Sequence, residues 1–311
     1  MIDSREYYVQ QSAITDPGEH ASLLSQLPDD IEGLCSTVRG LVIHHLRGPK
    51  VFGWSIPQAR LGELNTCYVS RMLDRMVELD DRPLKKARPP ERRLVGCCRD
   101  FAVLFCALAR HKGIPARTRF GFLGSARDGF NYLHVVTEYW DFAQRRWIVI
   151  DPEMYEQGAV AEKAAAGSWR LPGARFISGT RAWRKFRAGE VDALRFGRAP
   201  GYQPSGVRAL VRSSIHDLAA LNRSELLLWS GGKAADLEGG EVDRDLMDRA
   251  ADLAGFVDER LSEVREVYQG LTDCGLPPES PLDGPVEMAG VPEERTVSHR
   301  GVAPQGTVVR P

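Results

Sequence analysis

The sequence predicts an α+β fold in which a nucleophile-bearing helix packs on an antiparallel sheet, followed by a mainly helical C-terminal region. Two observations carry this expectation. Over Gly96–His111 the apolar residues Phe101, Leu104, Phe105 and Leu108 recur at helical spacing. Directly afterwards, Ala116–Phe122, Tyr132–Trp140 and Arg146–Ile150 are short β-like runs separated by turns containing glycine and aspartate. A helix with one apolar stripe and a sheet with one apolar face bury each other. Hydrophobic residues make up 43% of the 311, enough to build a substantial core.

In chain order, Asp16-Pro17 opens a first helix, because the aspartate caps free amides and proline at the first helical position loses no hydrogen bond. A second helix is expected over about 29–46, with Ile31, Leu34, Cys35, Val38, Leu41, Val42 and His45 on its apolar positions. Pro49 and Gly53 mark a loop holding Phe52 and Trp54, and a third helix covers about 63–80. Arg82–Arg93, rich in Pro, Lys and Arg, reads as a solvated connection. The helix from Gly96 stops at Gly113, and Pro115 prevents its continuation. After Asp151 the periodicity fades, to return as helices at about 214–228 and 242–268. The proline- and glycine-rich stretch from Thr272 reads as a disordered tail. The expected domains are therefore a core over 1–155, an accessory helical region over 156–271 and a tail over 272–311.

The 41 basic and 42 acidic side chains nearly cancel, which gives no general reason to expect nucleic acid or an anionic membrane as partner. Met1–Arg5 is polar, without the apolar core of a signal peptide, and no run is long and apolar enough to span a bilayer. Six cysteines occur without C-x-x-C spacing or a zinc-finger pattern. A reduced cytoplasmic protein is the expectation, with no cofactor and no metal. His44 and His45 are neighbours on the expected helix, so they point apart and do not suggest one metal site.

The chemistry-bearing residues lie in Gly96-Cys97-Cys98-Arg99-Asp100, at His134 and at Asp151. A helix start supplies unpaired amides and partial positive charge, which favour a thiolate. Strands following one another can set His134 and Asp151 side by side facing that helix. A thiol, a base and a carboxylate that orients the base would then form a nucleophilic triad. Helix phase alone does not separate Cys97 from Cys98. Glu138, four residues after His134, is either a solvent-facing acid or the partner of a nearby arginine, and Arg117 and Arg119 line the sheet edge.

The segment Gly96–Asp151 resembles the transglutaminase-like superfamily of papain-type cysteine enzymes. The matching text is GCCRDFAVLFCALARHKGIPAR, then HVVTEYW, then RWIVIDP, in family order. The resemblance implies a papain/transglutaminase-like core with Cys98 as nucleophile, His134 as general base and Asp151 as its orienting carboxylate, and leaves Cys97 and Cys106 as packing. It departs from the family at Leu133 and Val136, where an acidic residue and a tryptophan are common. An aromatic wall beside the thiol could then come from Tyr132, Trp54 or Trp147. The oxyanion donor could be Trp54, Gln58, Asn65 or Tyr68, besides the Cys98 amide. The implied activity is acyl transfer through an acyl-thioester. The donor is an amide-containing protein, peptide or small molecule, and water or an amine is the acceptor. The alternatives are amide-bond formation in small-molecule biosynthesis, with a carrier protein docked on the basic stretches, and a non-catalytic binding scaffold.

Overall fold

Helix α6 (Cys98–His111) is the axis on which the fold is assembled, with every side chain from Cys98 to Arg110 buried. A computed structural model describes residues 3–154, 175–230 and 244–270. Before α6 come α1 (Ser4–Val9), α2 (Ala21–Leu24), α3 (Ile31–Leu41), β1 (Val42–His44), α4 (Gly48–Phe52), α5 (Val69–Leu79) and β2 (Leu94–Gly96). After it come β3 (Ala116–Gly124), β4 (Asn131–Asp141), β5 (Arg146–Ile150), β6 (Phe176–Ser178), α7 (Gly179–Arg187), β7 (Phe196–Ala199) and β8 (Tyr202–Ser205). Helices α8 (Gly206–Leu221), α9 (Arg244–Ala254) and α10 (Leu261–Gly270) complete the described chain.

The main core lies between α6 and the helices that precede it. Leu34, Val38 and Leu41 of α3, Met72, Leu73 and Met76 of α5, and Phe101, Leu104, Phe105 and Leu108 of α6 pack together with Tyr139, Ile148 and Ile150 from the sheet. Burying each large apolar side chain contributes roughly 1.5–3 kcal/mol. Gly113, in the left-handed region at φ 74°, ends α6 as its sequence position predicts.

The six-stranded sheet runs β6-β3-β4-β7-β8, with β5 also on β4. Its pairs are antiparallel except β4–β7, which is parallel. That exception arises because β7 arrives through the intervening helix α7 and not through a hairpin. Strands β5 and β7 share one edge of β4 without meeting. Strand β5 pairs along Thr137–Asp141, and β7 pairs only at Asn131 and Tyr132. The edge of β4 is thus open between them, at residues 133–136. Strands β6, β7 and β8, which follow residue 155, belong to the same sheet as β3–β5.

Several elements differ from the sequence reading. The helix expected over 29–46 ends at Leu41, because Val42, Ile43 and His44 form β1 and pair in parallel with Leu94, Val95 and Gly96. The β-branched pair takes a strand ladder in preference to another helical turn. The 63–80 helix is a 3-10 segment (Gln58–Asn65) followed by α5. Helix α8 begins at Gly206 and stops at Leu221, where Arg223 at φ 59° turns the chain. The 242–268 helix is two helices, α9 and α10. The basic connection is only partly solvated: Arg88 and Arg93 are buried, and Arg88 Nη2 donates to the Asp80 carbonyl at 2.8 Å. The predicted tail at 272–311 and Cys274 lie outside the described residues, as do residues 155–174. No described helix is long and apolar enough to cross a membrane.

Arg117 and Arg119 are buried inside the sheet packing and do not line its edge. Glu138 pairs with Arg117 at 2.7 Å and with Arg119 at 3.1 Å. Arg119 also reaches Asp217 on α8 at 2.8 Å, and Asp217 accepts from the Thr180 hydroxyl at 2.6 Å. Although burial opposes ionisation, the two guanidinium groups hold the Glu138 carboxyl down at about 2. This network joins the sheet to α7 and α8.

Candidate active site

The site is built where β1, β2, the start of α6 and the open edge of β4 converge. Cys97 is the N-cap of α6 and Cys98 its first residue. The Cys97 amide donates to Asp100 Oδ2 at 2.8 Å, so Asp100 caps the first turn. As the first helical residue, Cys98 has an amide with no intrahelical acceptor. Its side chain sits in an apolar cluster with Ala102, Phe120, Val135 and Ala220.

His134 and Asp151 meet in the gap of the sheet. Asp151 directly follows β5, and its Oδ2 lies 2.6 Å from His134 Nε2. His134 is 3% exposed and Asp151 fully buried, so the pair is shielded from water. With Nε2 held by the carboxylate, Nδ1 is the nitrogen left for the thiol, and His134 and Cys98 each favour the charged form of the other. The structure therefore brings together all three residues singled out in the sequence.

The electrostatics separate the two cysteines. A hydrogen bond from the Cys97 thiol pulls Cys98 well below the usual thiol range. His134 and Arg47 add to that pull, against the penalty of burial. The same hydrogen bond and burial push Cys97 well above it. Burial opposes charging His134, but Asp151 and Cys98 together raise its imidazole well above the ordinary value. Both shifts favour a thiolate–imidazolium pair beside a carboxylate. Cys97 packs with Ile43, Leu64 and Val95, and its thiol favours the charged form of Cys98. Cys106 is packing, and burial pushes its thiol up to about 12.

Four further groups surround the pair. Strand β1 ends beside Gly96, and the His45 amide and Nδ1 both donate to the Gly96 carbonyl, at 2.9 and 3.2 Å. The His44 ring stacks on that of His45, with centroids 4.8 Å apart. His44 Nδ1 accepts from the Leu46 amide at 3.0 Å, and its Nε2 faces Glu153 Oε1 at 3.7 Å. Arg47 reaches the same carboxylate at 3.1 Å. Glu153 is fully buried, and burial pushes its carboxyl up to about 8 despite Arg47. The sequence reading missed this group because it placed His44 and His45 on a helix. The signal available was the β-branched Val42-Ile43 before them.

Of the aromatic candidates, Trp54 packs against the cluster that holds Cys97. Tyr132 hydrogen-bonds to Asp128, and Trp147 packs on Tyr8 and Trp140. The aromatic ring clustered with Cys98 is Phe120, on β3. Leu228, beyond α8, packs on both the Cys98 and the Cys97 clusters. Its carbonyl accepts from Arg212 Nε at 3.1 Å. Among the proposed oxyanion donors, Tyr68 packs on the main core and Gln58 is exposed.

His134, Asp151 and Glu153 bring ligand-type atoms within 4.8 Å of one another. Asp151 is engaged by His134 and Glu153 by Arg47. A cation there would displace the imidazole from its carboxylate and meet the guanidinium, so the donor set is better matched to proton chemistry than to a metal.

A helix-borne thiol, a strand histidine and a following aspartate on an α+β core define a fold class associated with cysteine-based acyl transfer or hydrolysis. Residues 73–152 match the model of the transglutaminase-like superfamily, so this stretch of the chain is a transglutaminase-like domain. Comparison with curated proteins gives no match. One solved structure that aligns is from Cytophaga hutchinsonii and carries the name putative cysteine protease. It has 16% identity and a TM-score of 0.33, over 57% of this chain and 46% of that one. The chain thus spans less than half the length of that neighbour.

Proposed function

We propose that this protein is a cysteine acyltransferase or amidohydrolase that cleaves an amide through an acyl-thioester. The observation that carries the reading is the buried Cys98–His134–Asp151 alignment, with the imidazole held at 2.6 Å by its carboxylate. Cys98 sulfur attacks the amide carbonyl carbon and forms the C–S bond. The carbon–nitrogen bond breaks as the His134 imidazolium gives its proton to the leaving nitrogen. Water or an amine then attacks the thioester, yields its proton to His134, and expels the thiolate. Water gives a carboxylic acid, and an amine gives a new amide. The Cys98 amide is suited to receive the developing oxyanion, because it is unpaired within the helix and at its positive end. Asp151 keeps the imidazole in one tautomer and orientation throughout.

The test is alkylation by iodoacetamide near neutral pH, with the labelled site read by mass spectrometry. Cys98 should be labelled first, and Cys98→Ala should abolish that fast reaction. His134→Ala should slow it at least tenfold, since the imidazolium that supports the thiolate is gone. Preferential labelling of Cys97, or a rate indifferent to His134, would defeat the proposal. Isolation of an acyl adduct on Cys98 from cell extract would identify the donor. A protein with a fast Cys98 that never accumulates such an adduct would fit a binding scaffold instead.

A further inference from the structure

We propose that Arg198 is an anion-binding residue of this site, and that the acyl donor carries a carboxylate close to the amide that Cys98 attacks. The inference rests on the acyl-transfer reading above and specifies its substrate. Strand β7 runs parallel to β4, with Gly197 beside Tyr132. Arg198 is the next residue of β7 after that pair, where the pairing with β4 ends, and His134 stands two residues beyond Tyr132 on β4. Asp151 approaches the same gap from the end of β5. The two strands thus bring one acid and one base to the open edge of β4 from opposite ends.

The local backbone singles Arg198 out. The β7–β8 pairing breaks register between Gly197 and Ala199. An irregularity of this kind re-aims the side chain it contains. Arg198 is half-buried, and the charge of its guanidinium is felt at His45, which in turn feels Cys98 and Arg47. Burial alone draws the guanidinium below its ordinary range.

Other arginines have carboxyl partners: Arg47 contacts Glu153, Arg119 contacts Asp217, and Arg117 contacts Glu138. Among the described residues, no acceptor or carboxylate pairs with Arg198. A half-buried guanidinium without a counter-charge is costly, and a ligand that supplies one recovers that cost. The planar fork fits a carboxylate with two parallel hydrogen bonds. One unmatched positive charge balances one carboxylate, whereas a phosphate dianion would stay half neutralised.

The experiment compares alkylation of Cys98 by iodoacetate and by iodoacetamide, which differ only in the carboxylate. In both, the thiolate sulfur bonds to the methylene carbon and iodide leaves with the carbon–iodine electron pair. The imidazolium of His134 favours iodoacetate in every variant, so the measured quantity is the change in the rate ratio. Arg198→Met should lower the iodoacetate-to-iodoacetamide ratio about tenfold, and Arg198→Lys should keep most of it. Glutarate should protect wild-type Cys98 from iodoacetamide where neutral glutaramide does not. An unchanged ratio in Arg198→Met, or equal slowing of both reagents, would overturn the proposal. Equal protection by glutarate and glutaramide would overturn it without relying on any variant. Stronger protection by inorganic phosphate than by glutarate at equal concentration would overturn the carboxylate assignment. A wild-type Cys98 that ignores iodoacetamide would instead defeat the acyl-transfer reading, so the two failures are distinguishable.

Discussion

Replacing Glu153 with glutamine should flatten the pH dependence of stability between about pH 5 and 8. Glu153 is fully buried, and its Oε1 has no hydrogen bond despite the nearby guanidinium of Arg47. Burial raises its carboxyl from 4.5 to about 8, with Asp151 adding to the rise and Arg47 opposing it. Between those values the folded protein keeps a proton that the unfolded chain has released. The unfolded state therefore binds fewer protons, and stability falls as pH rises through the window. The contribution is fully present below about 4.5 and is lost by about 8. At ~1.36 kcal/mol per unit, the whole window corresponds to at most about 5 kcal/mol. Arg47 is 47% exposed, and solvent relaxation around it reduces the expected figure to on the order of 2–3 kcal/mol. Glutamine keeps the shape and has no proton to lose. The variant should therefore gain on the wild type by that amount as pH rises from 5 to 8. Urea unfolding of both proteins at pH 5, 6, 7 and 8 measures the difference, and other titrating groups cancel between them. A difference that stays constant across this range, or that moves toward the wild type, would refute the reasoning.

Two other perturbations test separate parts of the structure. Cys97→Ala removes the thiol that favours the Cys98 thiolate, so the midpoint of Cys98 alkylation against pH should move to higher pH. A midpoint that does not move would show that Cys97 does not stabilise the thiolate. Asp217→Ala leaves buried Arg119 with Glu138 as its remaining counter-charge and should cost about 3–5 kcal/mol, seen as a lower urea midpoint. A loss below about 1 kcal/mol would show that Asp217 is not required to hold α8 on the sheet.

The parts of the site legible in the sequence are those whose signal is local. The helix start at Cys97-Cys98, the strand around His134 and the strand end at Asp151 follow from periodicity and turn chemistry over a few residues, whereas the choice of Cys98 over Cys97 needs the family resemblance. What surrounds them was hidden because it depends on pairing between distant segments. Val42-Ile43-His44 continues the helical spacing of α3, and only the ladder to Leu94–Gly96 makes it a strand. That ladder puts His45 against Gly96 and turns the adjacent histidines from a helix feature into the wall of the site. Glu153 looks like an ordinary loop acid until burial and Arg47 give it a role. Arg117 and Arg119 alternate as surface residues do, yet Asp217, almost a hundred positions later, draws Arg119 inward.

The stretch that matches the transglutaminase-like model, residues 73–152, supplies the thiol, the histidine and the aspartate but only part of their surroundings. The strand that flanks β2 comes from 42–44, and the acid beside Asp151 is Glu153. Leu228 and Ala220, which pack on the Cys98 cluster, come from α8 and the loop beyond it. That loop is held in place by side chains of α8: Arg212 donates to the Leu228 carbonyl, and His216 Nε2 lies 2.7 Å from the Ser230 carbonyl. Burial keeps His216 neutral, pulling it down to about 4, so this tie does not change charge near neutral pH. Under the proposed acyl-transfer reading, the three groups of the bond-breaking step lie in the matched stretch. Arg47, Arg198 and Leu228 lie outside it, so under the same reading chains that share the three groups and differ at these positions should differ in the acyl group they accept.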